Sequence, residues 1–377
     1  MSFDKLTVYL DTLPAQGVPG VDCVVMRKHE VIYRHFAGLA DREAERPMTG
    51  TERFFLYSAT KVITCAAALQ LYERGDFLMT DPLYAYIPEF RELWIEETLP
   101  NGEKQIVPAR RPIRIRDLFT MSSGFDLERR TPELERLREE TEGRMPTLPA
   151  VRLMAKKKLC FEPGTRFRYG VSHDILGGLI EVISGKSFGA YLAENIFAPL
   201  GMERTGFSSA GTAEVMAQYR RNRVTGGVER ISTELAGFTG TAYESGGAGL
   251  ISSVNDYGRF ADAMANGGEG VNGARILSPA TIALMAVNHL NGEQMADFAR
   301  MGWLGYGYGL GVRTLIDPAV GGANSPAGEF GWTGAAGSMS LMDPQSGVSL
   351  FYAAHVLGNN DGDIHPRLRN ILYGCLT

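Results

Sequence analysis

The chain has 377 residues, enough for two average domains or for one large domain carrying an inserted lobe. Hydrophobic residues make up 44% and charged residues 21%, so a sizeable core is expected and wholesale disorder is excluded. The formal net charge is −5 and no Lys/Arg run exceeds Lys156-Lys157-Lys158, which leaves no basic excess for a phosphate backbone, and nucleic acid is not expected as a partner. Taken in chain order, residues 21–26 and 31–36 are β-rich runs around the polar tetrad Arg27-Lys28-His29-Glu30, which reads as a hairpin. Residues 58–74 carry apolar positions at helical spacing, with Gly75 where a C-terminal cap belongs. Residues 115–121, 128–142 and 174–183 also read as helices, the last stopping at Ser184-Gly185. Strand signals thin out until residues 338–342 and 348–354, which flank a turn at 343–347 and give a second hairpin. A final helix follows, with Pro366 in its first turn.

Strands at both ends and helices between predict an α/β (α+β) fold: an antiparallel sheet built from both termini, flanked by helices, with a mostly helical lobe inserted. The expected division is 1–57 and 236–377 for the sheet domain and 58–235 for the lobe. Residues 126–149, dense in Arg and Glu, read as a solvated helix face and are the longest candidate lid. Cys23, Cys65, Cys160 and Cys375 lie far apart without ligand spacing, so buried, reduced thiols are expected rather than a zinc site or a disulfide framework. The N-terminal stretch has early charges and no apolar h-region, and no uninterrupted apolar run of about 18 residues occurs. The sequence therefore reads as cytoplasmic, without a membrane span and with its oligomeric state left open.

The most informative local feature is Ser58-Ala59-Thr60-Lys61 at the start of a helix. A serine and a lysine three apart share one helix face, so the lysine nitrogen can reach the hydroxyl. The helix start adds unpaired N–H groups that favour an oxyanion beside Ser58, although a serine there is also an ordinary N-cap. Two further stretches matter: residues 162–172 place Tyr169 just before a helix, and residues 330–337 form a Gly-rich strand approach containing Trp332-Thr333-Gly334-Ala335. With Ser-Ala-Thr-Lys, these resemble the three motifs of the serine β-lactamase and penicillin-binding superfamily. The resemblance extends to residues 115–124, 249–253 and 308–311 and is greatest to the class C β-lactamase branch with its family VIII carboxylesterases.

The resemblance implies a β-lactamase/transpeptidase-like fold, Ser58 as the acylated nucleophile, Lys61 as its partner and Tyr169 as a second proton-transfer group, with the general base left open between the last two. It also implies an oxyanion hole from the N–H groups of Ser58 and Ala335, and an acyl-enzyme resolved by water. Where lactamases and transpeptidases have Tyr-x-Asn, this chain has Tyr169-Gly170-Val171, and where they have Lys-Thr-Gly it has Trp332-Thr333-Gly334. The amide and the cation that favour an anionic β-lactam are thus absent. An apolar contact at Val171 and an aromatic wall at Trp332, beside Thr333 and Gly334, fit a neutral short- or medium-chain ester. The expected activity is that of a carboxylesterase acting on a small-molecule ester. The alternatives are a class C-type β-lactamase or D-Ala-D-Ala peptidase, and an inactive homologue that binds a ligand or builds an assembly.

Rival patterns are weaker. G-x-S-x-G is absent, Gly185-Lys186-Ser187 lacks the first P-loop glycine because position 180 is Ile, and residues 307–311 lack dinucleotide spacing. The six histidines are scattered, so neither a metal nor a cofactor is expected. His355 and His173 read as packing residues and Asp117 as a helix cap.

Overall fold

The computed structural model describes residues 2–128, 131–207, 214–222, 224–235 and 241–376. The N-terminal hairpin pairs Gly20–Arg27 with Glu30–Asp41. Lys28 and His29 turn the chain at φ 50° and 73°, the positive-φ pair that a two-residue hairpin loop requires. His29 is held there by Asp262, which accepts from its main-chain N–H at 3.1 Å and pairs with its Nδ1 at 2.8 Å. The C-terminal hairpin pairs Met339–Asp343 with Val348–Ala353, and the latter strand lies antiparallel beside Gly20–Arg27, with Cys23 opposite Tyr352.

One eight-stranded antiparallel sheet results. It runs from Tyr306–Tyr308 through Arg313–Leu315, Phe330–Gly331, Met339–Asp343 and Val348–Ala353 to Gly20–Arg27, Glu30–Asp41 and Arg46–Pro47. Both faces of its centre are covered, so the strand Gly20–Arg27 reads as nearly continuous apolar sequence. Val21, Cys23 and Val25 point to a core with Leu6, Leu10, Leu368 and Leu372 from the terminal helices Asp4–Thr12 and Asp361–Cys375. Val24 and Met26 point the other way, into the larger core that includes Tyr257 of the helix Val254–Ala265, whose ring stacks on Phe351 at 4.0 Å.

The larger core continues into the helices between the two ends of the sheet. Thr60–Glu73 is buried along most of its length and packs on Ser172–Ser184. Gly178 makes room on the latter: a Cβ there would meet Val151 Cγ1 at 2.7 Å. The helix expected over 128–142 is Pro132–Glu140, capped by Thr131, whose side chain accepts from Leu134 N at 3.3 Å. Residues 129 and 130 of that expectation lie outside the described residues.

Some expectations needed correction. Pro366 sits inside the last helix rather than in its first turn, because Asp361 and Asp363 already form that turn. Cys160 is exposed, although all four cysteines are free thiols. The ribbon of Trp94–Thr98 and Lys104–Pro108 went unread, because its mostly polar and half-exposed residues carry no clean two-residue alternation. Short strands also lie within the middle of the chain, and Tyr219–Arg221 pairs in parallel with Val356–Leu357. Among the described residues no single helix is long and apolar enough to cross a membrane.

Candidate active site

The strand Arg53–Phe55 leads through Leu56 into a short turn at Tyr57–Ala59 and then the helix Thr60–Glu73. Tyr57 sits in the left-handed region at φ 47°, a rare place for a bulky side chain. Its hydroxyl donates to Gln218 Oε1 at 2.5 Å, and the Gln218 amide donates to the carbonyls of Ser232 and Glu234 at 3.0 and 3.3 Å. The backbone kink before Ser58 is thus anchored through a buried glutamine.

Lys61 follows Ser58 by one helical turn and is buried at 1% exposure. Its Nζ lies 3.2 Å from Ser58 Oγ and donates to Gly247 O at 2.5 Å. Thr64, on the same face, donates to Gly246 O at 2.7 Å. Gly246 is required by close approach, since a Cβ would fall 2.2 Å from His173 O. This glycine strap is tied down by Asp174, whose Oδ1 accepts from Ser245 Oγ at 2.5 Å and Tyr243 OH at 3.1 Å.

Tyr169 comes from the loop before Ser172–Ser184, and its ring lies 4.8 Å from Lys61 Nζ. Its hydroxyl accepts from Trp332 Nε1 at 3.1 Å, and the two rings stack with centroids 5.6 Å apart. Trp332 is held in turn by Ser340 Oγ, which accepts from its main-chain N–H at 3.1 Å, and by the edge of Tyr308 at 5.2 Å. Beyond Trp332 the chain makes a tight turn in which Gly334 N donates to Ser338 O at 2.9 Å and Gly337 N to Gly334 O at 3.0 Å. Gly334 leans on the chain just before Ser58, for a Cβ would meet Leu56 O at 2.3 Å. Ala335 is exposed at the tip of this turn, and Ser58 is half-buried. Among the described residues neither main-chain N–H has a partner.

The structure therefore brings Ser58, Lys61, Tyr169 and the Thr333–Ala335 turn together from distant parts of the chain. Val171 differs from its expected role: it precedes the first turn of Ser172–Ser184 and is fully buried, with no face open to a ligand. Trp332 is also less open than a wall, at 3% exposure, because a buried indole N–H needs an acceptor and finds it in Tyr169. Thr333 borders a cavity of about 500 Å³ whose sides include Trp303, Tyr306, Leu304, Val320 and Met339.

His173 packs behind Lys61, with Nε2 3.3 Å from Phe119 O and 3.5 Å from Cys65 Sγ. Burial, together with the Lys61 charge, pushes its pKa down to about 3. His355 lies beside Phe55, bonded to Met216 O at 2.8 Å, and burial pushes it down to about 4. Both are neutral near pH 7. Asp117 caps its helix by accepting from Arg114 N at 2.9 Å. Among the described residues no group of His, Cys, Asp and Glu could hold a metal ion. Gln218, Asp174 and Gly247 carried no motif that spacing could reveal.

The Beta-lactamase family model matches residues 6–373. The chain is 30% identical over 389 residues to Esterase EstB of Burkholderia gladioli, covering 97% of this chain and 93% of the relative. It is 27% identical over 303 residues to lovastatin esterase of Penicillium rubens, covering 72% of each. The solved structure of EstCE1, described as a hydrolase with promiscuous acyltransferase activity, superposes with a TM-score of 0.80 at 26% identity, covering 99% of this chain and 98% of that one. A half-buried serine beside a buried lysine, on this fold and with these relatives, defines a serine hydrolase. The chain belongs to the Beta-lactamase family.

Proposed function

We propose that the protein is a carboxylesterase of the family VIII type, within the class C branch, acting on neutral short- or medium-chain esters through an acyl-enzyme on Ser58. The observation that carries this reading is the contact of Lys61 Nζ with Ser58 Oγ at 3.2 Å, with Tyr169 packed over the same nitrogen. Ser58 Oγ attacks the ester carbonyl carbon while its proton passes to the Lys61–Tyr169 pair. The charge that develops on the carbonyl oxygen is received by the N–H groups of Ser58 and Ala335. Collapse of the tetrahedral intermediate breaks the bond to the alcohol, which leaves with that proton. Water then attacks the acyl group on Ser58 and gives its proton to the same pair; collapse of this second intermediate breaks the bond to Ser58 Oγ, which takes that proton back as the acid leaves. An alcohol in place of water gives transesterification.

Preference for an ester over an anionic β-lactam is supported by Trp332. A neutral indole N–H, not an ammonium, faces Tyr169, and buried Val171 offers no amide. Two of the named relatives are esterases. We also place the protein in the cytoplasm, consistent with its free cysteines, and divide the chain into a sheet domain of 1–57 with 236–377 and a lobe of 58–235.

The test is intact-protein mass spectrometry after incubation with p-nitrophenyl butyrate, a fluorophosphonate or a penicillin. Wild type should turn over the ester and gain the phosphonate, with no lasting penicillin adduct, and Ser58→Ala should gain nothing. A fluorophosphonate adduct that persists in Ser58→Ala overturns the nucleophile. A lasting penicillin adduct on Ser58 moves the protein to the penicillin-recognising branch.

A further inference from the structure

A second concavity, of about 390 Å³, lies between residues 110–122 and the start of the helix Gly292–Ala299. Arg110, Arg111, Arg114 and Arg116 line it, with His289 and Asn291 also on its wall. In a chain of net charge −5, four exposed arginines border one cleft. Among the described residues none of the four has a carboxylate within ion-pair distance. Among the described residues their one side-chain hydrogen bond is from Arg116 Nη2 to His289 O, at 3.4 Å.

The carboxylates nearby are occupied with the main chain or with neighbouring hydroxyls. Asp117 Oδ2 accepts from Arg114 N at 2.9 Å and its Oδ1 from Ser122 Oγ at 3.3 Å. Glu162 Oε1 accepts from the N–H groups of Arg110 and Arg111 at 2.8 and 2.6 Å. Glu293 stands in the first turn of Gly292–Ala299. His289 adds no charge near neutral pH, since burial pushes its pKa down. The four arginines thus outnumber the three carboxylates named, leaving an excess of positive charge that a multivalent anion would offset. The backbone that carries them is fixed, because Ile113 and Ile115, which alternate with Arg114 and Arg116, are buried.

We propose that this cleft binds a small phosphoryl-bearing anion, held mainly by the guanidinium forks of Arg114 and Arg116. A planar fork matches two phosphoryl oxygens, and arginine keeps its charge at any working pH. The site is separate from Ser58 and stands whether or not the esterase reading does.

Isothermal titration of the wild-type protein with inorganic pyrophosphate, orthophosphate and citrate at fixed ionic strength tests it. Pyrophosphate should bind saturably at one site, and more weakly as NaCl is raised. The exposed pair Arg114→Ala/Arg116→Ala should weaken that binding by about tenfold or more, the loss of charge-assisted contacts. The thermal melt of the variant should match wild type, showing an intact fold. No saturable pyrophosphate binding, equal affinity in the variant, or tighter binding of citrate than of either phosphate overturns the proposal.

Discussion

At Tyr169 the hydroxyl accepts a hydrogen bond from the Trp332 indole, at 3.1 Å. The contact fixes where that hydroxyl sits beside Lys61, so in the proposed mechanism Trp332 is a positioning residue for Tyr169. Trp332→Phe keeps an aromatic ring against Tyr169 but removes the donor. It should lower kcat for ester hydrolysis by about tenfold, the worth of one hydrogen bond, with a smaller change in KM. Steady-state kinetics on p-nitrophenyl butyrate read this, and an unchanged kcat would make the contact merely a packing one. Ser58, Lys61 and Tyr169, which lie together in the structure, were legible as candidates because each sits in a short local pattern. Gln218 and Asp174 could not, because their partners Tyr57 and Ser245 are 161 and 71 residues away. The burial of Trp332 and Val171 was equally hidden, since residue type alone does not say which way a side chain turns.

The turn from Thr333 to Ser338 shows how an element, rather than a side chain, sets the site. Its position depends on Gly334, where a methyl group would meet Leu56 O and Ser338 Oγ, both at 2.3 Å. Neither a main-chain oxygen nor a hydroxyl in a tight turn can withdraw cheaply. Gly334→Ala should therefore destabilise the fold by about 2 kcal/mol, a typical overpacking cost, and slow fluorophosphonate labelling more than Tm alone would explain. Thermal melts and labelling rates compared with a surface control such as Gly226→Ala, where a Cβ meets nothing but whose φ of 72° carries a backbone cost, would separate crowding from strain. Elements with strong local chemistry were readable: both hairpins follow from their turns, and Gly75 and Gly185 end their helices with positive φ. The start of the last helix was misjudged because Pro366 is tolerated within it, and a proline normally marks a first turn.

The molecule as a whole keeps His173, His355 and His365 buried, with pKa values pushed down by burial to about 3, 4 and 4. The unfolded chain binds protons on these groups below about pH 6.5, while the folded chain does not, so they withdraw stability as the pH falls through that value. Asp361 and Asp22 act in the opposite sense: burial raises them to about 7 and about 6, and the fold gains from their protonation as the pH drops through those values. The result should be a plateau of Tm near neutral pH and a decline below about pH 6, where the histidines prevail. His355→Gln should lower the steepness of that decline, whatever it does to Tm at pH 7, and an unchanged slope in pH-resolved melts would assign the acid sensitivity elsewhere. The central pairing of Gly20–Arg27 with Val348–Ala353 has a further consequence. The first hairpin keeps apolar side chains on both faces and an open edge until Val348–Ala353, about 320 residues further along the chain, pairs with it. A chain that has made only the first hairpin therefore exposes an unfinished β-ribbon, and its yield in a cell should depend on chaperone supply more than its final stability would suggest.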